Sequence, residues 1–501
     1  MNKSKEIART NLLYLTLLLP IIIFPYSSAV FEISKTFSIG IGVGILGITF
    51  FILQKLKEIK LPNRFILLYF LLYFVSNLFS IDKNLSILGN FPRYNEGDLI
   101  NLITVLFIIL IINFGEKLQL LKIAFYSSFV ITTIAVFESF ISSERVGSTF
   151  GQPNYLGIFI VITIIYQILN FDKLNIKQYL NYGYLIVQVY VLIKTASLTA
   201  FFSLIIAILY LLITKKVVLD KVRLLVLGTL ISVVVIWQGS ILYPKIKDIY
   251  FQLTDRSKTT ISDSLLIRFA LWDTTLKLIT SDTKHFFLGS GSNTFIIEFE
   301  KNRNNKLDGY SEYYLFYDKP HNYFLEILYS NGVFVFGLFI YLIYKFLKSK
   351  NNNKVYIISI LIFVFFNWLD IYTRLLFFTV ISQSLKTEEI KLKNTKFVSL
   401  IYFLLLTVSS AFLFADYRFY FSDYQTANTL IPFNDFYKSE LITNTTKNDN
   451  DFFFLNKNPI VKVSGLNYYQ NSKLEDFKVH LLELYPDNMP IKILIDKSSS
   501  N

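Results

Sequence analysis

The stretch Tyr317-Asp-Lys-Pro-His-Asn-Tyr-Phe-Leu-Glu326 leads into the apolar run Val333–Phe346. His321, one of only three histidines in the chain, stands just outside that run, beside Asn322. An imidazole there can be wet on one side and shielded on the other, and near neutral pH it is the usual side chain for taking a proton from a hydroxyl. Taken alone, it reads equally as a histidine that caps or packs a short helix. Three arginines add a second capability. Arg93 lies toward the end of the polar stretch Ser80–Asp98, Arg145 stands in Ser142–Asn154, and Arg268 falls within Ser262–Thr280. A guanidinium binds a phosphate through two parallel hydrogen bonds and keeps its charge in a low dielectric.

Around these residues the alternatives stay open. Leu265, Phe269, Trp272, Leu276 and Ile279 form one stripe at helical spacing, with Ser262 or Asp263 as the cap. Arg268 borders that stripe and could point along a membrane surface toward an anionic ligand, or simply meet lipid headgroups from an interfacial helix. The glycines of Phe287-Leu-Gly-Ser-Gly-Ser-Asn293 suggest a tight turn, but no Lys-Ser/Thr follows as a P-loop would require. Glu138, Lys194, Asp370 and Arg374 lie near the ends of apolar segments. Ionisable residues in such places are functional candidates by default, and snorkelling at the interface is the plain alternative. The absence of cysteine excludes disulfides and thiolate metal sites. No Asp-x-Asp or cluster of close acids stands in the polar insert, so an expected chemistry there relies on arginine rather than on a carboxylate-bound metal, and no cofactor is expected.

The elements that must hold these residues are membrane helices. The chain of 501 residues is 53% hydrophobic and 17% charged, against about 25% charged in ordinary soluble domains. Long apolar runs recur from end to end without the period-two alternation of a membrane β-barrel. The expected class is an all-α polytopic membrane protein with about 12–13 spans, at residues 11–30, 37–54, 64–80, 99–114, 120–141, 154–170, 179–195, 198–214, 222–239, 331–347, 355–371, 374–385 and 397–415. The amino-terminal run is longer than a signal-peptide core and reads as an uncleaved span. Lysines crowd alternate loops, among them Lys55/Lys57/Lys60, Lys173/Lys177, Lys345/Lys348/Lys350 and Lys386/Lys391/Lys393. The positive-inside rule puts those loops and the amino terminus in the cytoplasm, with the insert at about 240–330 and the tail outside. The formal net charge of +13 is therefore topogenic, and nucleic acid is not expected as a partner. The division expected is a membrane domain over 1–415 and an outward tail over 416–501, in which Asp416–Leu441 reads as a helical pair, the last fifty residues as a poorly defined unit and His480 as a surface residue.

Several stretches together resemble the O-antigen ligase/polymerase family of bacterial membrane glycosyltransferases. They are SIDKNLSILGNFPRYNEGDLI (80–100), RVGSTFGQPNYLGIF (145–159), KTASLTAF (194–201), IRFALWDTTLKLI (267–279) with FLGSGSNTF (287–295), and KPHNYFLEILYSNGVFVFGLFIYL (319–342). The resemblance implies a polyprenyl-pyrophosphate-linked glycan as donor, an acceptor glycan, glycolipid or protein, and metal-independent inverting transfer at the outer face of the cytoplasmic membrane. Residue by residue it implies Arg93, Arg145 and Arg268 at the pyrophosphate and His321 with Arg268 as the catalytic pair. Asn322, Glu138 and Asn154 are candidate supporting residues. Where relatives often read Ser-Arg in the short break, this chain reads Ser197-Leu198, so that position offers no positive charge. Two other readings stand beside a ligase or polymerase. Transfer of an oligosaccharide to protein Ser or Thr would use the same donor and fold. A transporter for a lipid-linked glycan or small solute would show two related halves and charged broken helices near the midplane, and no internal repeat is visible.

Overall fold

The computed structural model describes residues 2–54, 58–115, 120–142, 144–174, 176–214, 228, 264–310, 312–391, 395–444, 451–486 and 488–499. The chain is an all-α polytopic membrane protein. Five described helices are long and apolar enough to cross a membrane, Ile33–Ile52, Leu120–Ile141, Pro153–Lys173, Tyr323–Lys348 and Lys396–Tyr420, and four shorter apolar helices accompany them, Arg64–Asn77, Asp98–Phe114, Leu198–Ile213 and Lys354–Val364. The expected span 222–239 lies, apart from residue 228, outside the described residues, as do the expected caps Ser262 and Asp263.

Three expected spans change shape. The first helix, Asn2–Leu18, stops where 11–30 had been expected to continue, because Pro20 and Pro25 remove donors and disfavour helix in the residues before them. The span expected at 355–371 ends at Val364, and Asp370 instead caps the next helix, Ile371–Ser384, accepting from the Thr373 amide. The span expected at 331–347 starts earlier, at Tyr323, and is broken at Gly332.

The described residues divide into two compact units. Met1–Leu68, Leu102–Tyr243 and Ile340–Ser410 make the first; Tyr69–Asn101, Pro244–Phe339 and Ala411–Asn501 make the second. The centre of the first unit is Pro153–Asn170, which is buried along nearly its whole length and packs against Leu120–Ile141, Gln178–Thr195, Leu198–Ile213 and Lys354–Val364. Proline at its first turn and the Gln152 side chain accepting from the Tyr155 amide start it. Without water to drive helices together, such bundles rely on close backbones and interhelical hydrogen bonds. Gln188 accordingly donates to Thr163 at 3.0 Å and Gln167 to Asn181 at 2.6 Å. Gly47 lets Tyr402 approach so closely that a Cβ would lie 2.0 Å from its ring. The only described sheet pairs Glu58–Leu61 antiparallel with Glu388–Lys391. Both strands come from Lys-bearing loops that the alternation placed on one side, and their pairing requires that they share it.

In the second unit, Ser264–Ile279 is helical, but its buried face is Ile267, Ala270, Leu271, Thr274, Thr275 and Leu278. Of the stripe read at helical spacing, Leu265, Phe269 and Leu276 are exposed, Trp272 is half-buried and only Ile279 is inside. In a membrane protein both faces of such a helix are apolar, so periodicity alone does not say which is inside. The tail is more ordered than expected. The helix Thr395–Tyr420 runs past the predicted end at 415, the expected helical pair is Tyr424–Leu430 with Asp435–Asn444, and the last fifty residues form short helices around Phe453, Phe477, Leu481 and Ile491. The Asn488 side chain donates to the Glu300 carbonyl at 3.1 Å and to its carboxylate at 2.6 Å, so the tail packs on the polar insert. His480 is half-buried against Phe454 and within 3.3 Å of the Lys462 ammonium.

Candidate active site

The second unit brings Arg93, Arg268, His321 and Asn322 into one set. His321 takes a left-handed backbone, φ 53°, strained for a residue with a Cβ and sustained only where the surroundings dictate it. The neighbouring Asn322 is the capping residue: its side chain accepts from the Phe324 and Leu325 amides at 3.0 and 3.1 Å and so starts the helix at Tyr323. The cap role considered for His321 therefore belongs to Asn322, and the imidazole is left half-buried at the head of the helix. One turn after Arg268, the Trp272 indole donates to the Pro320 carbonyl at 2.9 Å, tying the Arg268 helix to the His321 segment. Burial, with the Arg268 charge beside it, pushes the His321 imidazole down to about 3 against the pull of Asp318, and Arg93 and Lys319 add to the lowering. It is neutral at pH 7.

Charged residues not singled out from the sequence as site residues build the frame. The Arg93 guanidinium donates from one nitrogen to both Asp318 oxygens, at 3.0 and 2.8 Å. Burial would raise the Asp318 carboxyl, but Arg93 and then Lys319 hold it below the usual carboxylate range. Lys319 is almost fully buried, with its ammonium 2.8 Å from Glu96 and 3.8 Å from Glu326, both carboxylates buried as well. Burial works to lower the Lys319 ammonium, yet Glu96, Glu326 and Asp318 outweigh it and raise it above its ordinary value. The sequence signal for this frame was the run Asp318-Lys319 before His321 and a carboxylate, Glu326, three residues into an apolar helix.

The glycine-rich turn is a structural brace. The amides of Gly289, Ser290, Gly291 and Ser292 donate to His285, Tyr329 and Ser330 carbonyls and to the Asn77 side chain respectively, so they form no cradle for a phosphate. The turn fits into the break of the Tyr323 helix, where Gly332 has φ 75° and a Cβ would lie 2.2 Å from the Phe287 carbonyl oxygen. His285 supports the same turn, its ring 2.9 Å from Asp282 and 3.2 Å from Glu298, which in turn accepts from the Tyr329 hydroxyl at 2.7 Å. Among the described residues, no group of three or more His, Asp or Glu side chains is placed to hold a metal ion.

The remaining candidates lie in the first unit. Arg145 donates to the Thr195 carbonyl at 2.8 Å and to the Asn154 side chain at 3.0 Å. Glu138 accepts from the Gly147 and Ser148 amides at 3.1 and 2.7 Å. Glu138 and Asn154, from the two flanking helices, and Arg145 therefore hold one loop, which is braced against the Lys194–Ala200 break. Lys194 is exposed with its ammonium over the Tyr190 ring, whereas Arg374 is fully buried over Phe378.

No curated protein matches the chain. The O-antigen ligase family matches residues 183–340, a stretch that holds Lys194, Arg268, the glycine-rich turn and His321; Arg93 and Arg145 precede it. This is the family that the sequence motifs resemble, and the stretch similar to it lies within a multi-pass membrane protein.

Proposed function

We propose that the chain transfers or polymerises a glycan from a polyprenyl-pyrophosphate donor onto an acceptor hydroxyl, at the extracytoplasmic face of the bacterial cytoplasmic membrane, in cell-surface polysaccharide biosynthesis. The observation that supports this most is a neutral, half-buried His321 held beside Arg268 and Arg93 at the head of a membrane helix. In the proposed step the acceptor oxygen attacks the anomeric carbon from the face opposite the leaving group. Its proton passes to the His321 imidazole, the bond from carbon to phosphate oxygen breaks, and the polyprenyl pyrophosphate departs with the electron pair, inverting the centre. Charge grows on the leaving oxygen, and positive groups already fixed in place stabilise it most effectively. Arg268 and Arg93 have that role here, and the resemblance adds Arg145. The acceptor hydroxyl belongs to a glycan or glycolipid.

Two results test this reading. Purified protein given a polyprenyl-pyrophosphate glycan and a candidate acceptor glycolipid should form the glycosylated product by mass spectrometry, and the rate should be unchanged by EDTA. Loss with EDTA that Mg²⁺ or Mn²⁺ restores would replace the arginine mechanism with a metal-assisted one. Arg268→Lys should bind donor roughly tenfold more weakly and transfer more slowly, because an ammonium does not reproduce the planar two-bond contact. Normal donor affinity in a well-folded Arg268→Lys protein would assign the phosphate to the other arginines.

A further inference from the structure

A cavity of about 680 Å³ opens in the first unit, among residues the proposed transfer does not use. It lies where the last turns of Asp98–Phe114, Pro153–Asn170 and Ile371–Ser384 meet the first turns of Leu120–Ile141 and Lys354–Val364. This is the end of the unit that carries the lysine-bearing loops and the paired strands. Its rim is polar, with Lys60, Lys173, Asn170, Asn353 and Gln383; its wall is apolar, with Ile112, Leu121, Leu169 and Val380. None of the described lining residues is a carboxylate. Glu389, which stands opposite Lys60 in the strand pair, is exposed and is not part of that lining.

The rim is also built in place. Asn113, at the end of its helix, accepts from the Lys60 amide at 2.9 Å and donates to the Lys60 carbonyl at 2.8 Å, fixing the strand that carries the lysine. Helix first turns at Leu120 and Lys354 bring amide donors to the wall, while three helix C-termini there oppose an anion. The lysines decide the sign. Basic pockets between membrane helices are suited to anionic lipid headgroups, and an apolar wall directly under a cationic rim fits a molecule that joins a phosphate to acyl chains.

We propose that this cavity binds the headgroup of an anionic phospholipid, with the phosphate at Lys60 and Lys173 and an acyl chain along the apolar wall. The test uses the full chain in nanodiscs of phosphatidylglycerol or of phosphatidylcholine. Native mass spectrometry should show phosphatidylglycerol retained preferentially, and Lys60→Gln/Lys173→Gln should lower that retention about tenfold with thermal stability unchanged. A photoactivatable phosphatidylglycerol should label wild-type protein within 166–173 or 352–356, a readout that does not depend on the variant folding. Equal retention of both lipids, labelling elsewhere, or undiminished retention in a folded double variant would overturn the proposal. So would displacement of the lipid by sn-glycerol 3-phosphate at comparable concentration, which would make the cavity a site for a soluble phosphate.

Discussion

His321→Ala is expected to lower glycan transfer by roughly a hundredfold or more while leaving donor binding nearly intact, since loss of a general base costs on that scale. Losing a helix cap would instead cost about 1 kcal/mol of stability and little rate, and here that cap is Asn322, through its bonds to the Phe324 and Leu325 amides. The two roles therefore separate by residue: Asn322→Ala should destabilise, His321→Ala should slow. The pH dependence sharpens the test. A base works unprotonated, so activity is lost as pH falls through its pKa. Burial and the Arg268 charge hold the free imidazole at about 3, so the acid limb of kcat/KM, which reports the free enzyme, should lie well below the value near 6.5 of an ordinary histidine. A bound pyrophosphate offsets the arginine charges and raises the imidazole, so the acid limb of kcat should lie at higher pH than that of kcat/KM. Coincident limbs near pH 6.5, or a well-folded His321→Ala protein with near-normal turnover, would show that the histidine is structural.

Much of this arrangement was legible in the sequence because membrane proteins write their architecture in long-range composition. Apolar length located Ile33–Gln54, Leu120–Ile141, Pro153–Asn170 and Thr395–Tyr420 within a few residues, and lysine alternation placed on one side the two loops whose strands pair. His321 and Arg268 could be singled out as candidates because each stands beside apolar residues, although a cap and a lipid-headgroup contact were equally open for them. What was not legible depends on contacts distant in sequence or on backbone conformation. Nothing in Pro92-Arg-Tyr-Asn-Glu96 says that its glutamate meets a lysine at 319, and nothing local says that Arg93 meets Asp318. Gly332 stands just before the apolar run Val333–Phe346, and nothing local says that the Phe287 carbonyl presses into its place at the break. Which face of Ser264–Ile279 packs inward was not legible either, because apolar residues stand on both of its faces.

Lys319→Ala should be the most damaging single substitution for stability, at about 3–5 kcal/mol, because it leaves two buried carboxylates without their shared cation. The geometry is specific: Lys319 is 2% exposed, Glu96 1% and Glu326 2%, with the ammonium 2.8 Å from one and 3.8 Å from the other. Repulsion between unpaired acids in a low dielectric would push the segment Asp318–Asn322 away from the helix it starts, so thermal stability and donor-dependent transfer should fall together. Two further variants separate the buried charge from the loss of a side chain. Lys319→Met keeps most of the volume, and adding Glu96→Gln and Glu326→Gln to it removes the excess charge. If charge is the cause, the triple variant should recover most of the stability lost by Lys319→Met, as coupled sites in one network do. Recovery of transfer along with stability would mark Lys319 as a positioning residue for His321. A triple variant no more stable than Lys319→Met would show that packing around the lysine, and not its charge, holds the segment in place.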